Sequence, residues 1–204
     1  MLNREFLSQG GPNPITFVAA AQGSTSTTSL VINKPTGTLQ NDLMVVFIYT
    51  GNGASWTQPT GWTEVADTGS IAVAYKTAGA SEGSSYTFTA SKSGTNAGVI
   101  VTYRNAAYDV VGTVTTSTSS PLSIPAITLS ANASTVLAYV AASSTSSSWS
   151  TPTGFSSLSA MTTPVSFGTF GKDNVSSGST GTVSTTRTGQ GIGQAAVLVG
   201  IKPS

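Results

Sequence analysis

Side chains that could act as acids, bases or nucleophiles are scarce in this sequence of 204 residues. Histidine and cysteine are absent from it, so it lacks the commonest general base, the thiolate nucleophile and the usual zinc ligands. Of its seven acidic residues, Glu64 and Asp67 come closest to a carboxylate pair. Because they are three positions apart, a strand would point them to opposite faces of its sheet. We therefore predict that the chain is not an enzyme and has no metal or cofactor site.

The spacing Trp-x-x-Pro-Thr-Gly-aromatic occurs twice, from Trp56 to Trp62 and from Trp149 to Phe155. Proline pre-sets a turn and glycine accepts a backbone conformation that a β-carbon disfavours, so each copy predicts a tight corner between two aromatic rings. Exposed rings could stack on a sugar, which makes Trp56, Trp62 and Trp149 candidate glycan contacts. Buried rings would instead close one end of a β-sandwich. The phenylalanine in the second copy favours this packing role.

Alternation of apolar and polar residues recurs along the chain between Gly, Pro, Ser and Asn, whereas helical periodicity is nearly absent. In residues 85–90, Tyr86 and Phe88 alternate with threonines, which predicts a strand with one buried face. Residues 43–49, LMVVFIY, are apolar throughout and predict a central strand that is covered on both faces. Val, Ile and Thr are frequent in these segments, as is typical of strands. The pattern indicates an all-β protein.

Several segments recur at a spacing of 92 to 98 residues. The matched pairs are 30–32 with 122–124 at a spacing of 92, 43–49 with 136–142 at 93, and 96–104 with 194–202 at 98. Spacings that grow in the loops are typical of an internal duplication. Each copy has enough short strands for a sandwich.

The repeat predicts two tandem antiparallel β-sandwich units of jelly-roll or immunoglobulin-like type. The first would span residues 15–106 and the second residues 107–204, and residues 1–14 would form an N-terminal arm. The two units could be separate domains or could pack as one unit. A single larger jelly roll with strands exchanged between the copies is a further alternative.

Charge is sparse, because eight basic and seven acidic residues leave a formal net charge of +1. Basic residues that stand singly make a poor nucleic-acid surface. The N-terminal residues lack the apolar stretch of a secretory signal. The longest apolar run is far shorter than the roughly 20 residues of a membrane-crossing helix. We expect a protein made in the cytoplasm without a membrane anchor, whose neutral surface suits contact with another protein or with sugars.

Several segments of the chain resemble a family of β-sandwich proteins that recurs in tailed bacteriophages. They are NDLMVVFIYTG (41–51), PTGWTEV (59–65), AVAYKTAGASEGSSYTFT (72–89) and GVIVTYRNAAYDVVG (98–112). The family has a GDLLVAF strand, a PxGW corner, a YK…SYTF hairpin and a closing YRG strand at the corresponding places. Its weaker second half ends in a KP tail, which AAVLVGIKP (195–203) resembles.

This resemblance implies a structural protein of the virion: a capsid decoration protein, a head fibre or a tail-fibre module. The chain has no coiled-coil stalk and no collagen-like tract, which favours a small decoration protein on the capsid surface. Its partner would be the major capsid protein or another virion protein, and it would form a homo-oligomer on the particle. The arm would be the tether, and the candidate capsid contacts are Leu2, Arg4, Phe6 and Leu7.

The alternative is a tail or collar protein that binds a host receptor or a surface glycan. In that case the stacking contacts would be Trp56, Trp62 and Trp149. An enzyme that cleaves polysaccharide is the least favoured hypothesis, because the family pattern has no catalytic residues to carry over.

Overall fold

A computed structural model describes residues 13–189 and 192–204. These residues form 20 β-strands joined by turns and contain no helix, which confirms the predicted all-β class. The strands are β1 (Thr16–Thr25), β2 (Ser29–Asn33), β3 (Leu43–Thr50), β4 (Trp56–Thr57), β5 (Thr63–Asp67), β6 (Ile71–Thr77), β7 (Ser85–Ala90), β8 (Asn96–Arg104), β9 (Ala106–Val111), β10 (Thr115–Ser117), β11 (Leu122–Ile124), β12 (Thr128–Leu129), β13 (Ser134–Ser143), β14 (Ser148–Trp149), β15 (Ser156–Met161), β16 (Ser166–Val175), β17 (Gly178–Ser179), β18 (Val183–Thr185), β19 (Arg187–Thr188) and β20 (Ile192–Pro203).

Strands β1 to β8 of the first half build two antiparallel sheets that pack face to face. The larger sheet has the order β1-β8-β3-β6-β5, and the smaller has the order β2-β7-β4. Strand β3 is buried along its whole length, as its unbroken apolar run predicts. In β7, Tyr86 and Phe88 are buried and the threonines between and after them are exposed, which confirms the predicted alternation.

Strands β9 to β20 of the second half build a larger sheet of order β10-β20-β13-β16-β15, in which β9 also pairs with β20. Three two-stranded ladders, β11-β18, β12-β17 and β14-β19, complete this half. The larger sheets have the same strand order if β13, β20, β16 and β15 take the places of β3, β8, β6 and β5. This likeness supports the predicted repeat, although the duplication itself stays a prediction. Within the described residues, no ladder joins strands of different halves.

The two larger sheets face each other across one shared apolar core. This core combines side chains from β3, β6 and β8 with side chains from β13, β16 and β20. The ring of Phe47 stacks on that of Tyr139, with centroids 5.1 Å apart and an interplanar angle of 12°. At one edge of the interface, the Gln22 Nε2 donates to Ser159 Oγ at 2.6 Å and to the Ala160 carbonyl at 2.9 Å. The halves therefore share a core, and the sequence had left this arrangement as one of three alternatives.

Two further apolar clusters lie on the outer sides of the larger sheets. One fills the space between the two sheets of the first half. The other fills the space between the larger sheet of the second half and its short ladders. The body is thus four layers of strands, and central strands of the two inner layers, such as β3, β8 and β13, are buried on both faces.

Hydrogen-bond register corrects one of the sequence alignments. Met44 lies opposite Thr102 in the β3–β8 ladder, and Val136 lies opposite Gly200 in the β13–β20 ladder. Since Thr102 and Gly200 match at the spacing of 98, Met44 corresponds to Val136 at a spacing of 92. The predicted spacing of 93 between β3 and β13 was therefore wrong by one residue. An error of one residue matters, because it would match residues that point to opposite faces of the sheet.

Candidate functional site

Both tryptophans of the first Trp-Pro-Gly corner are buried. Trp56 and Trp62 are 5% and 8% exposed and belong to the apolar cluster between the sheets of the first half. The Trp62 ring packs edge to face with the rings of Tyr86 and Phe88, with centroid distances of 5.1 and 5.4 Å. A sugar needs an open ring face for stacking, and neither tryptophan offers one here. The geometry supports the packing role of this corner and disagrees with Trp56 and Trp62 as glycan contacts.

The second corner repeats the turn but is packed less fully. Gly61 and Gly154 have φ angles of 87° and 79°, which explains why glycine occupies this place in both copies. The backbone N–H of the aromatic residue after each glycine donates to the carbonyl of the corner proline. The distance is 3.2 Å from Trp62 to Pro59 and 3.0 Å from Phe155 to Pro152. Trp149 and Phe155 are half-buried against the apolar cluster of the second half. Trp149 is less enclosed than the tryptophans of the first corner and lines a small pocket of about 90 Å³, so its role as a glycan contact stays a prediction.

Three carboxylates form ion pairs at the ends and edges of strands. Asp42 pairs with Arg104 at 3.0 Å, Glu82 with Lys76 at 2.8 Å, and Asp109 with Lys202 at 3.5 Å. Although burial opposes the shift, hydrogen bonds hold the pKa of Glu82 and the pKa of Asp109 below their ordinary values. The donor with the largest effect on the pKa of Glu82 is Lys76, and the donor with the largest effect on the pKa of Asp109 is the Ser130 hydroxyl. Glu82 and Asp109 therefore stay ionised at neutral pH, and each of them fixes a loop to a strand.

The other three described carboxylates accept hydrogen bonds from nearby groups. Asp67 accepts from the backbone N–H of Trp56 at 2.8 Å, which ties the first corner to β5. Glu64 accepts from the Gln58 amide at 3.0 Å, and Asp173 from the Thr135 hydroxyl at 2.7 Å. Among residues 13–189 and 192–204, no group of three or more acids could hold a metal ion.

A cleft of about 730 Å³ opens between the two halves, at the end of the central strands where β3 and β13 finish. Asn52 and Thr95 line it from the first half, and residues 143–146 line it from the second half. A further depression of about 530 Å³ continues beyond Tyr49 and Gly51, which line both. We call the two together the end cleft. Sequence reasoning missed it, because its walls are serine- and threonine-rich loops that carry no motif.

Uncharged hydrogen-bonding groups line the end cleft, and none of its described lining residues is charged. Burial raises the pKa of the Tyr49 hydroxyl, which therefore stays protonated, and this hydroxyl lies 3.4 Å from the carbonyl oxygen of Gly193. Asn52 is held in place because its amide donates to the Ser93 carbonyl at 2.8 Å and accepts from the Thr50 hydroxyl at 2.7 Å. Chemically, the cleft fits a neutral ligand rich in hydroxyl groups.

No family model, curated protein or solved structure matches this chain. The relation to phage virion proteins therefore stays a prediction. In the part of the chain that the structure describes, no helix is long and apolar enough to cross a membrane.

The predicted tether residues lie outside the described residues; they are Leu2, Arg4, Phe6 and Leu7. The described chain nevertheless includes the place where the arm meets the body. The Pro14 carbonyl accepts hydrogen bonds from the Thr16 hydroxyl at 3.2 Å and from the Asn105 amide at 3.0 Å. The N–H of Ser204 donates to the Asn105 carbonyl at 3.2 Å. Asn105 thus fixes both Pro14 and Ser204 at one end of the body.

Pro14 and the end cleft lie at opposite ends of the central strands. Strand β3 begins opposite Tyr103, at the end of the body where Pro14 lies, because Thr16 pairs with Arg104. It ends at Thr50, beside Tyr49 of the cleft. An eight-residue strand spans about 24 Å, so this distance separates the two features.

Proposed function

We propose that this protein is a non-enzymatic structural component of a tailed-phage particle, a decoration protein that its N-terminal arm attaches to the capsid. The observation that carries the proposal is that Pro14, at which the arm joins the body, and the end cleft lie at opposite ends of the body. A body attached through residues 1–14 presents the loops around Asn52 and Thr145 away from the shell.

Support for this role also comes from the shared core. Two halves that bury a common interface form one rigid spacer, which transmits the position of the attached end to the outer end. The hydroxyl-rich loops at the outer end are neutral and would not be repelled by neighbouring copies on a lattice.

Deletion of residues 1–12 tests the tether directly. It leaves Pro14 and its hydrogen bonds to Thr16 and Asn105 in place, so we expect the thermal unfolding of the body to be unchanged. Binding to particles that lack the protein should fall by about tenfold or more, measured by co-sedimentation. Full-length protein with Thr145→Ala at the opposite end is the control and should bind normally. Full occupancy by the truncated protein would refute the tether.

A second candidate function is the binding of a host surface glycan at the tail or collar. The observation that favours it is the end cleft, which has many uncharged donors and acceptors and no charged lining residue among those described. Such a site would use hydroxyls, amides and backbone groups in place of the buried tryptophan rings.

Substitution of Gly51 separates this candidate from the first. A β-carbon at Gly51 would make ordinary contacts with Ser143 and Tyr49, so Gly51→Phe places a ring in the cleft without a backbone clash. If polysaccharide extracted from the host surface binds there, this variant should bind it about tenfold more weakly by calorimetry. Gly83→Phe, in the loop between β6 and β7 at the arm end, is the matched control. Equal binding by both variants, or none by the native protein, would count against the glycan site.

A further inference from the structure

A separate pocket of about 250 Å³ lies within the second half and shares no lining residue with the end cleft. Its apolar wall includes Val136, Phe155 and Val183, and threonine and serine residues contribute polar lining groups. The exposed side chain of Lys172 lies at its rim. We call this feature the corner pocket, because it adjoins the second Trp-Pro-Gly corner.

Ladder register identifies the matching lysine in the first half. Lys172 lies opposite Val136 in the β13–β16 ladder. In the same way, Lys76 lies opposite Met44 in the β3–β6 ladder. Since Met44 and Val136 hold equivalent places, the two lysines do so too. Each lysine side chain lies close to the glycine of its own corner. A β-carbon at Gly61 would be 3.3 Å from the Lys76 Cε, and a β-carbon at Gly154 would be 3.6 Å from the Lys172 Cε.

The same comparison identifies the residue that replaces Tyr86. Tyr86 lies opposite Ile32 in the β2–β7 ladder, and Val183 lies opposite Ile124 in the β11–β18 ladder. The isoleucines belong to the repeated segments LVI and LSI, which match at a spacing of 92. A valine therefore stands in the second half where the first half has a tyrosine.

In the first half, an aromatic ring and a carboxylate occupy the equivalent space. The Tyr86 ring packs edge to face with Trp62, and its hydroxyl lies 3.4 Å from the Met44 sulfur. That hydroxyl donates to Glu82 at 2.8 Å. The Lys76 ammonium binds the same carboxylate at 2.8 Å and lies 5.5 Å from the centre of the tyrosine ring.

The second half keeps the lysine but has no counterpart of the ring or of the acid. Phe155 and Val183 are smaller than the tryptophan and tyrosine that they replace. No acidic residue lines the corner pocket, and Lys172 belongs to none of the ion pairs found in the described residues. The first half therefore shows which groups fill the equivalent space: an aromatic ring, and a carboxylate that pairs with the lysine.

We propose that the corner pocket binds an aromatic carboxylate. The ring of the ligand would pack on Phe155 and Val183, where the first half places its tyrosine ring. The carboxylate would pair with the Lys172 ammonium, as Glu82 pairs with Lys76. Two sources have this chemistry: a free aromatic acid, and the C-terminal tyrosine or phenylalanine of a partner protein, whose ring and α-carboxylate lie close together.

Titration of the full-length protein with 4-methylbenzoate, followed by NMR, tests this proposal. We expect binding at about millimolar concentration, with shifts in the signals of Val136, Val183 and Phe155. Lys172→Met should weaken binding about tenfold, because it removes the charge and keeps the alkyl chain. Lys92→Met, an exposed lysine in the loop before β8, is the matched control and should leave binding unchanged.

Two further measurements make the result decisive. Val183→Tyr restores the ring of the first half and should abolish binding; if it fails to fold, the Lys172 variant still decides. The neutral isostere 4-methylbenzyl alcohol should bind about tenfold more weakly than the acid. Equal affinity for both compounds, or no shifts at roughly 10 mM acid, would overturn the proposal. A peptide ending in tyrosine that binds more tightly than 4-methylbenzoate would identify a protein C-terminus as the source, and the reverse order would identify a free acid.

Discussion

Replacement of Trp62 by alanine is expected to lower the free energy of unfolding by about 3 to 5 kcal/mol. The Trp62 ring is 8% exposed and packs against Tyr86 and Phe88, so its loss leaves a cavity lined by two aromatic rings. Those rings cannot close the gap easily, because β7 is held by ladders on both sides. Urea denaturation followed by near-UV circular dichroism measures the change.

The second corner supplies the matched comparison. Phe155→Ala should cost only about 1 to 2 kcal/mol, because Phe155 is half-buried and already adjoins the corner pocket. Trp62→Phe, which copies the second corner into the first, should retain most of the stability. A loss at Trp62→Ala of only about 1 to 2 kcal/mol would show that Trp62 does not close the end of the first sandwich.

The sequence predicted the features of the fold that follow from alternation of apolar and polar residues along a strand. In β7, Tyr86 and Phe88 alternate with threonine, and the structure buries one set and exposes the other. The glycine in each corner could be foreseen as well, since a positive φ is costly for other residues. Local patterns of this kind depend on neighbours in the chain, so they can be read without knowledge of the tertiary structure.

Features that depend on distant segments could not be predicted in this way. The run LMVVFIY indicates that β3 is covered on both faces, but nothing in it identifies Tyr139 as the residue that covers Phe47. For the same reason the alignment of β3 with β13 was displaced by one residue, because a strand that is apolar on both faces has no alternation to fix its register. The end cleft was missed because Asn52 and Thr145 are ordinary loop residues until the two halves come together.

The shared core leads to the second large effect, that of Phe47→Ala. Phe47 is fully buried between the halves and stacks on Tyr139, so its removal should cost about 3 to 5 kcal/mol. Because each half buries the inner face of the other, both should unfold in a single transition. NMR signals from β6 and from β16 should therefore disappear at the same urea concentration, and that concentration should be lower than for the native protein.

Tyr139→Phe is the control for this prediction, because it keeps the stacked ring and removes only the hydroxyl. That hydroxyl is buried and has no hydrogen-bond partner within the described part of the chain, so its desolvation opposes folding. The substitution should leave stability unchanged or raise it by about 1 kcal/mol. Loss of the β6 signals at lower urea than the β16 signals in the Phe47 variant would show that the halves fold independently. In that case the body would not act as the rigid spacer on which attachment at one end and presentation at the other depend.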